Sequence, residues 1–206
     1  MKALVIVDMQ NDFLPGGALG VKKGEEVVPT VNSLTHGPFD LIVATKDWHP
    51  ADHTSFAENH AGKEPGEHVT VEGIDQILWP AHCVQESFGA EFSSDLEASG
   101  IDKIFYKGID PNIDSYSAFF DNKHLRATGL GEYLKEQGVE TVYLAGLTTD
   151  YCVKYSALDA LALGFETYVI EDGCRAVNLE PEDGEKAIRE MKEKGVKVVH
   201  SSEVLQ

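Results

Sequence analysis

Six short runs rich in Val, Ile and Leu, at residues 3–7, 41–45, 103–106, 141–145, 167–170 and 196–199, recur along the chain with longer segments between them. Each run is apolar at consecutive positions instead of alternating with polar residues, so both of its faces need cover. Strands of that kind belong in a parallel sheet, where each crossover lays a helix over one face. The segments at about residues 25–34, 130–137, 150–163 and 181–194 are long enough to be those helices. The pattern predicts an α/β fold of three layers, α/β/α, around a mostly parallel six-stranded sheet. With 206 residues, no internal repeat and no Pro/Gly/Ser-rich linker, one domain over residues 1–206 is expected. Residues 48 to about 100 depart from the pattern, being rich in His, Gly, Pro and acidic side chains. A loop region that long inside a compact domain usually carries function.

Charge narrows the partners. Thirty-five Asp and Glu against 17 Lys and Arg give a net charge of −18, which repels phosphate backbones and anionic lipid alike. Nucleic acid and membrane are therefore not expected as partners. No apolar run approaches the roughly 18 residues of a membrane span, and the chain opens directly on the strand-like KALVIV, so a cytoplasmic location is expected. Cys83, Cys152 and Cys174 are an odd number without CxxC spacing, which argues against a disulfide framework and leaves thiol chemistry open. A homo-oligomer is left open.

Open α/β sheets bind ligands outside the carboxyl ends of their strands. Asp8 follows the first run, Asp47, Trp48 and His49 the second, Lys107 the third, and the segment from Gly146 to Cys152 the fourth. Singly, each has an ordinary reading: a turn cap, a solvated lysine, a small core cysteine. Their shared placement at four strand ends argues for a site. Cys152 falls just inside a helix expected to begin near Asp150, where free N–H groups and the helix dipole favour a thiolate. Lys107 would lower the thiol pKa further, Asp8 could accept the thiol proton and return it to a leaving group, and the helix start offers donors for an oxyanion. Cys83 and Cys174 lack such a setting. Asp47 and His49, two apart on an extended segment, share a face, and His82 could close the set from the loop. One Asp and two His with open positions is a catalytic metal pattern for one divalent ion, Zn or else Fe or Mn. His53 is a further candidate ligand.

The stretches ALVIVDMQNDFLPGGAL, ATKDWHPADHTSF, ILWPAHCVQ, DSYSAFFDN, LAGLTTDYCV and DGCRAVN run nearly end to end, and in them the sequence resembles the nicotinamidase branch of the isochorismatase-like cysteine hydrolases. The resemblance implies hydrolysis of nicotinamide to nicotinate and ammonia through a cysteine thioester, a step in NAD salvage. It implies an Asp–Lys–Cys triad at Asp8, Lys107 and Cys152, and a divalent metal on Asp47, His49 and His82 that holds the pyridine nitrogen. His53, Glu64 or water would complete the metal's coordination. Phe13 and Trp79 would sandwich the ring, with Leu147, Thr148 and Tyr116 as further substrate contacts. The family's cis peptide falls between Leu147 and Thr148. Within the superfamily, isochorismate cleavage usually lacks the cysteine, and carbamoyl-amide hydrolysis uses a site resembling a metal-free one. A non-catalytic metal- or metabolite-binding module on the same scaffold is the alternative from another class.

Overall fold

The computed structural model describes residues 1–71 and 73–206. Its six-stranded sheet consists of β1 (Lys2–Val7), β2 (Leu41–Asp47), β5 (Lys103–Lys107), β6 (Thr141–Leu147), β7 (Glu166–Arg175) and β8 (Lys197–Val199), in the order β5-β2-β1-β6-β7-β8. Every neighbouring pair is parallel. The apolar runs explain this directly, because β1 buries both of its faces. Ala3, Val5 and Val7 enter one core cluster, together with residues of α2 (Leu130–Glu136), α3 (Lys154–Ala162) and α4 (Asp183–Lys194). Leu4 and Ile6 enter the other, against α1 (Val27–Thr35). The helices are amphipathic to match: α4 buries Ala187, Ile188 and Met191 and leaves its acidic and basic residues outward, ending at Gly195 in the left-handed region. Among the described residues no helix is long and apolar enough to cross a membrane.

Three local features differ from the expectation. The loop region contains an antiparallel hairpin, β3 (His68–Val71) with β4 (Ile74–Ile77), whose polar composition hides it from a search for apolar runs. The helix expected from residue 150 is preceded by a π-helical turn, Thr149–Val153, where the Val153 N–H reaches back five residues to the Thr148 carbonyl at 3.0 Å. A short C-terminal helix, α5 (Ser201–Val204), has no counterpart in the sequence pattern. At Gly146, just before this turn, φ is +128° and an added Cβ would lie 2.1 Å from the Val7 carbonyl oxygen, so only glycine allows β1 and β6 to close up there. The Leu147–Thr148 peptide is cis.

Candidate active site

Lys107, Asp47, Asp8 and Cys152 come from four neighbouring positions in the sheet: the ends of β5, β2 and β1, and the turn that follows β6. Asp47 and Lys107 are register partners. All four are buried, and Lys107 is only 1 % exposed. An ammonium has three N–H donors, and those of Lys107 go to Asp47 Oδ1 at 2.5 Å, the Ser115 carbonyl at 3.1 Å and Cys152 Sγ at 3.4 Å. Asp8 Oδ1 accepts from Thr45 Oγ1 at 2.6 Å. Asp8 Oδ2 lies 2.8 Å from the ammonium as an ion pair but makes no well-formed hydrogen bond. The Asp8 carboxylate is within reach of the thiol, since ligand atoms of Asp8, Asp47 and Cys152 all lie within 4.8 Å of one another.

The electrostatics correct one expectation. Burial pushes the Cys152 thiol well above the usual cysteine range; Lys107 pulls it down, but Asp8 and Asp47 add to the rise. Burial thus opposes the thiolate that the turn and Lys107 favour. Burial likewise raises the Asp8 carboxyl, against the pull of Lys107, which suits a group that must take up and release a proton. Iodoacetamide should therefore label Cys152 of chelator-treated protein slowly at neutral pH and faster as the pH passes 9, with Lys107→Ala displacing the curve further upward. A rate that levels off near pH 7 would show that the thiolate is already formed there. Burial raises the other cysteines as well, Cys174 up to about 12, while Cys83 is raised by burial and by Asp47, Asp8 and Asp12.

Beside the triad, ligand atoms of Asp47, His49 and His82 lie within 4.8 Å of one another, all buried. The donor set fits a divalent cation. His82 Nδ1 donates to the Pro80 carbonyl at 2.8 Å, which leaves the lone pair on Nε2, 3.6 Å from Asp47 Oδ2. His49 Nδ1 is buried without a partner. Asp47 thus serves two neighbours, with Oδ1 on Lys107 and Oδ2 facing the histidines, a role for it in the triad that the sequence did not suggest. The structure does not bring His53 into this set. It groups with His49 and Asp114 instead, and burial pushes it down to about 4. Glu64 lies in an exposed turn, where its backbone N–H is held by Glu67.

A cleft of about 310 Å³, partly open to solvent, reaches Cys152, Asp47 and His82. Phe13, Trp79, Tyr116 and Thr148 line it, joined by Leu19, Tyr151 and Val177, which sequence reasoning did not single out. Leu147 does not line it, being packed in the core. Trp79 and Tyr116 are tied together, the indole N–H donating to the tyrosine oxygen at 3.2 Å, while Tyr151 packs edge-on against both rings. Thr148 Oγ1 is buried without a partner at the cleft wall.

Comparison with known proteins agrees with this geometry. The isochorismatase domain family matches residues 2–203. A nicotinamidase of Escherichia coli is 45% identical over 197 residues, 94% of this chain and 92% of the relative. The solved structure of a nicotinamidase/pyrazinamidase of Acinetobacter baumanii superposes with a TM-score of 0.95 at 46% identity, covering 99% of this chain and 98% of the other. A pyrazinamidase of Pyrococcus horikoshii, solved in complex with zinc, superposes at 0.78 with 41% identity, covering 97% and 98%. Matched over almost its whole length and built on the same sheet, the chain belongs to the isochorismatase domain family.

Proposed function

We propose that this protein is a cytoplasmic nicotinamidase that hydrolyses nicotinamide to nicotinate and ammonia, as a step in NAD salvage, with Asp8, Lys107 and Cys152 as its catalytic residues. The observation that carries the reading is the contact of Lys107 Nζ with Cys152 Sγ at 3.4 Å, with Asp8 Oδ2 paired to the same ammonium at 2.8 Å, within an aromatic-lined cleft. Near full-length similarity to the E. coli nicotinamidase supports the choice of amide.

In this mechanism Sγ of Cys152 attacks the carboxamide carbon while Asp8 Oδ2 takes the thiol proton, so thiolate character develops only during attack. Lys107 donates a hydrogen bond to the sulfur as its charge grows. Asp8 then delivers the proton to the departing nitrogen, ammonia leaves, and a thioester to Cys152 remains. Water, deprotonated by the same carboxylate, attacks the thioester, and nicotinate departs with Sγ protonated again. Phe13 and Trp79 enclose the ring, and the Thr148 hydroxyl is a free polar group at the cleft wall. Asp47, His49 and His82 would hold one divalent ion, for which zinc is proposed by likeness to the zinc-bound pyrazinamidase. Such an ion supplies a Lewis acid for the pyridine nitrogen, which fixes the ring and draws electron density from the carbonyl.

Ammonia release from nicotinamide and from benzamide, which lacks the ring nitrogen, tests this. Zinc-loaded protein should strongly prefer nicotinamide, and the preference should shrink sharply after chelation and in His82→Ala as nicotinamide turnover falls. Equal turnover of the two amides by loaded protein, or unchanged nicotinamide turnover after verified metal removal, would refute the role of the ion. No ammonia from nicotinamide at all would refute the activity.

A further inference from the structure

We propose that Asp114 is a positioning residue for the metal site: its carboxylate accepts a hydrogen bond from the Nε2–H of His49 and so presents Nδ1 of that ring to the ion, while Gln76 of the β3–β4 hairpin holds the carboxylate in place. The inference rests on the reading that Asp47, His49 and His82 bind a cation.

A neutral imidazole has one N–H and one lone pair, and whichever nitrogen donates decides which one can ligate. Asp114 Oδ1 lies 3.2 Å from His49 Nε2, and the same oxygen accepts the Ser115 N–H at 2.8 Å. The second oxygen, Oδ2, accepts from Gln76 Nε2 at 3.3 Å. The same Oδ1–Nε2 contact puts His49 within ion-pair distance of Asp114. Asp114 and Gln76 are both buried, with Asp114 at the wall of the cleft beside Asp47 and His82, so their hydrogen bonds lie in a largely desolvated setting. With Nε2 committed to the carboxylate, the lone pair falls on Nδ1, the buried nitrogen that has no partner. A buried nitrogen left so is costly unless something binds it.

The ring has little freedom to turn away. A Cβ at Gly108 would come within 2.9 Å of His49 Nε2, and the rings of His53 and Phe56 pack against the imidazole at centroid distances of 4.4 and 5.3 Å. Glycine at 108 lets the ring sit against the backbone after β5, and Asp114 then fixes its protonation and tilt. An outer carboxylate on a ligating histidine also makes the ring a better donor to the ion.

The test measures zinc affinity of the full chain by competition with a fluorescent chelator, with circular dichroism on each variant. Asp114→Ala should bind zinc about 10–100-fold more weakly than the parent, the usual loss when such a partner is removed. Asp114→Asn should lose affinity severalfold and less than Asp114→Ala, because its amide oxygen can still accept the His49 proton while its NH2 group confronts the Gln76 donor. Gln76→Ala, which leaves Asp114 in contact with His49, should lose least. If Asp114→Ala does not fold, Asp114→Asn decides. Folded Asp114 variants that bind zinc within about twofold of the parent overturn the proposal. The assay contains no amide, so a parent that binds zinc tightly but releases no ammonia from nicotinamide counts against the proposed activity and not against Asp114.

Discussion

Cys152→Ala is expected to reduce ammonia release from nicotinamide by at least about 10⁴-fold while the fold and the zinc affinity stay near those of the parent. Loss of a nucleophile commonly costs that much or more, because nothing else in the site can form the covalent bond. The thiol is not structural in the same sense. It is a small buried group that accepts a hydrogen bond from Lys107, and alanine removes a single heavy atom from a chain segment held by its own backbone bonds. Residual turnover within about tenfold of the parent, with native circular dichroism, would remove Cys152 from the mechanism. Cys152→Ser makes a useful companion, since a hydroxyl of much higher pKa in the same buried setting should be nearly as inactive.

The second large effect belongs to Lys107. Lys107→Met, similar in length, should abolish turnover and also lower stability by about 3–5 kcal/mol near neutral pH, the usual range when one member of a buried ion pair is removed. The reason is that Asp8 and Asp47 would then face each other in a buried site without their shared counter-charge. The pH dependence follows from the sign at Asp8. Burial already raises its folded-state pKa above the ordinary aspartate value, and Lys107 is the largest opposing influence. Removing the lysine raises the folded pKa further, and a raised carboxyl contributes stability that is present below the unfolded pKa and lost as pH rises through the folded one. The deficit of the variant should therefore be smallest at acid pH and grow toward pH 8. Urea melts of parent and variant across that range give the difference, and a deficit that is flat or shrinks as the pH rises would contradict the placement of the charges. Adding Asp8→Asn to Lys107→Met should recover part of the lost stability.

Much of this was legible in the sequence because parallel strands leave a plain mark. Apolar residues at consecutive positions marked all six sheet strands, although β7 runs on to Arg175 through polar residues that carry no such mark. Polar residues directly after those runs led to Asp8, Asp47, Lys107 and Cys152, since strand ends are where a parallel sheet presents side chains to a ligand. The hairpin was not legible: His68, Thr70 and Asp75 are solvent-facing strand residues that resemble loop. Asp114 was missed for a related reason. It lies outside any periodic element, and its connection to His49 spans 65 residues, which no local pattern can show. The state of the Cys152 thiol was misjudged because the sequence reveals the nearby ammonium but not the depth of burial, and burial dominates.

The three catalytic residues and Asp47 stand side by side at the ends of neighbouring strands, at positions 107, 47, 8 and 152 of the chain. Their spacing is therefore fixed by strand register. A slip of one residue at any of the interfaces between them would carry one group about 3.3 Å along the sheet and turn its side chain to the opposite face. Such a slipped molecule would keep its helices, most of its circular dichroism and nearly all of its apolar burial. Turnover would nevertheless vanish, so during refolding the return of activity times the correct alignment of three strand pairs, an event that signals of secondary structure record only as part of an average.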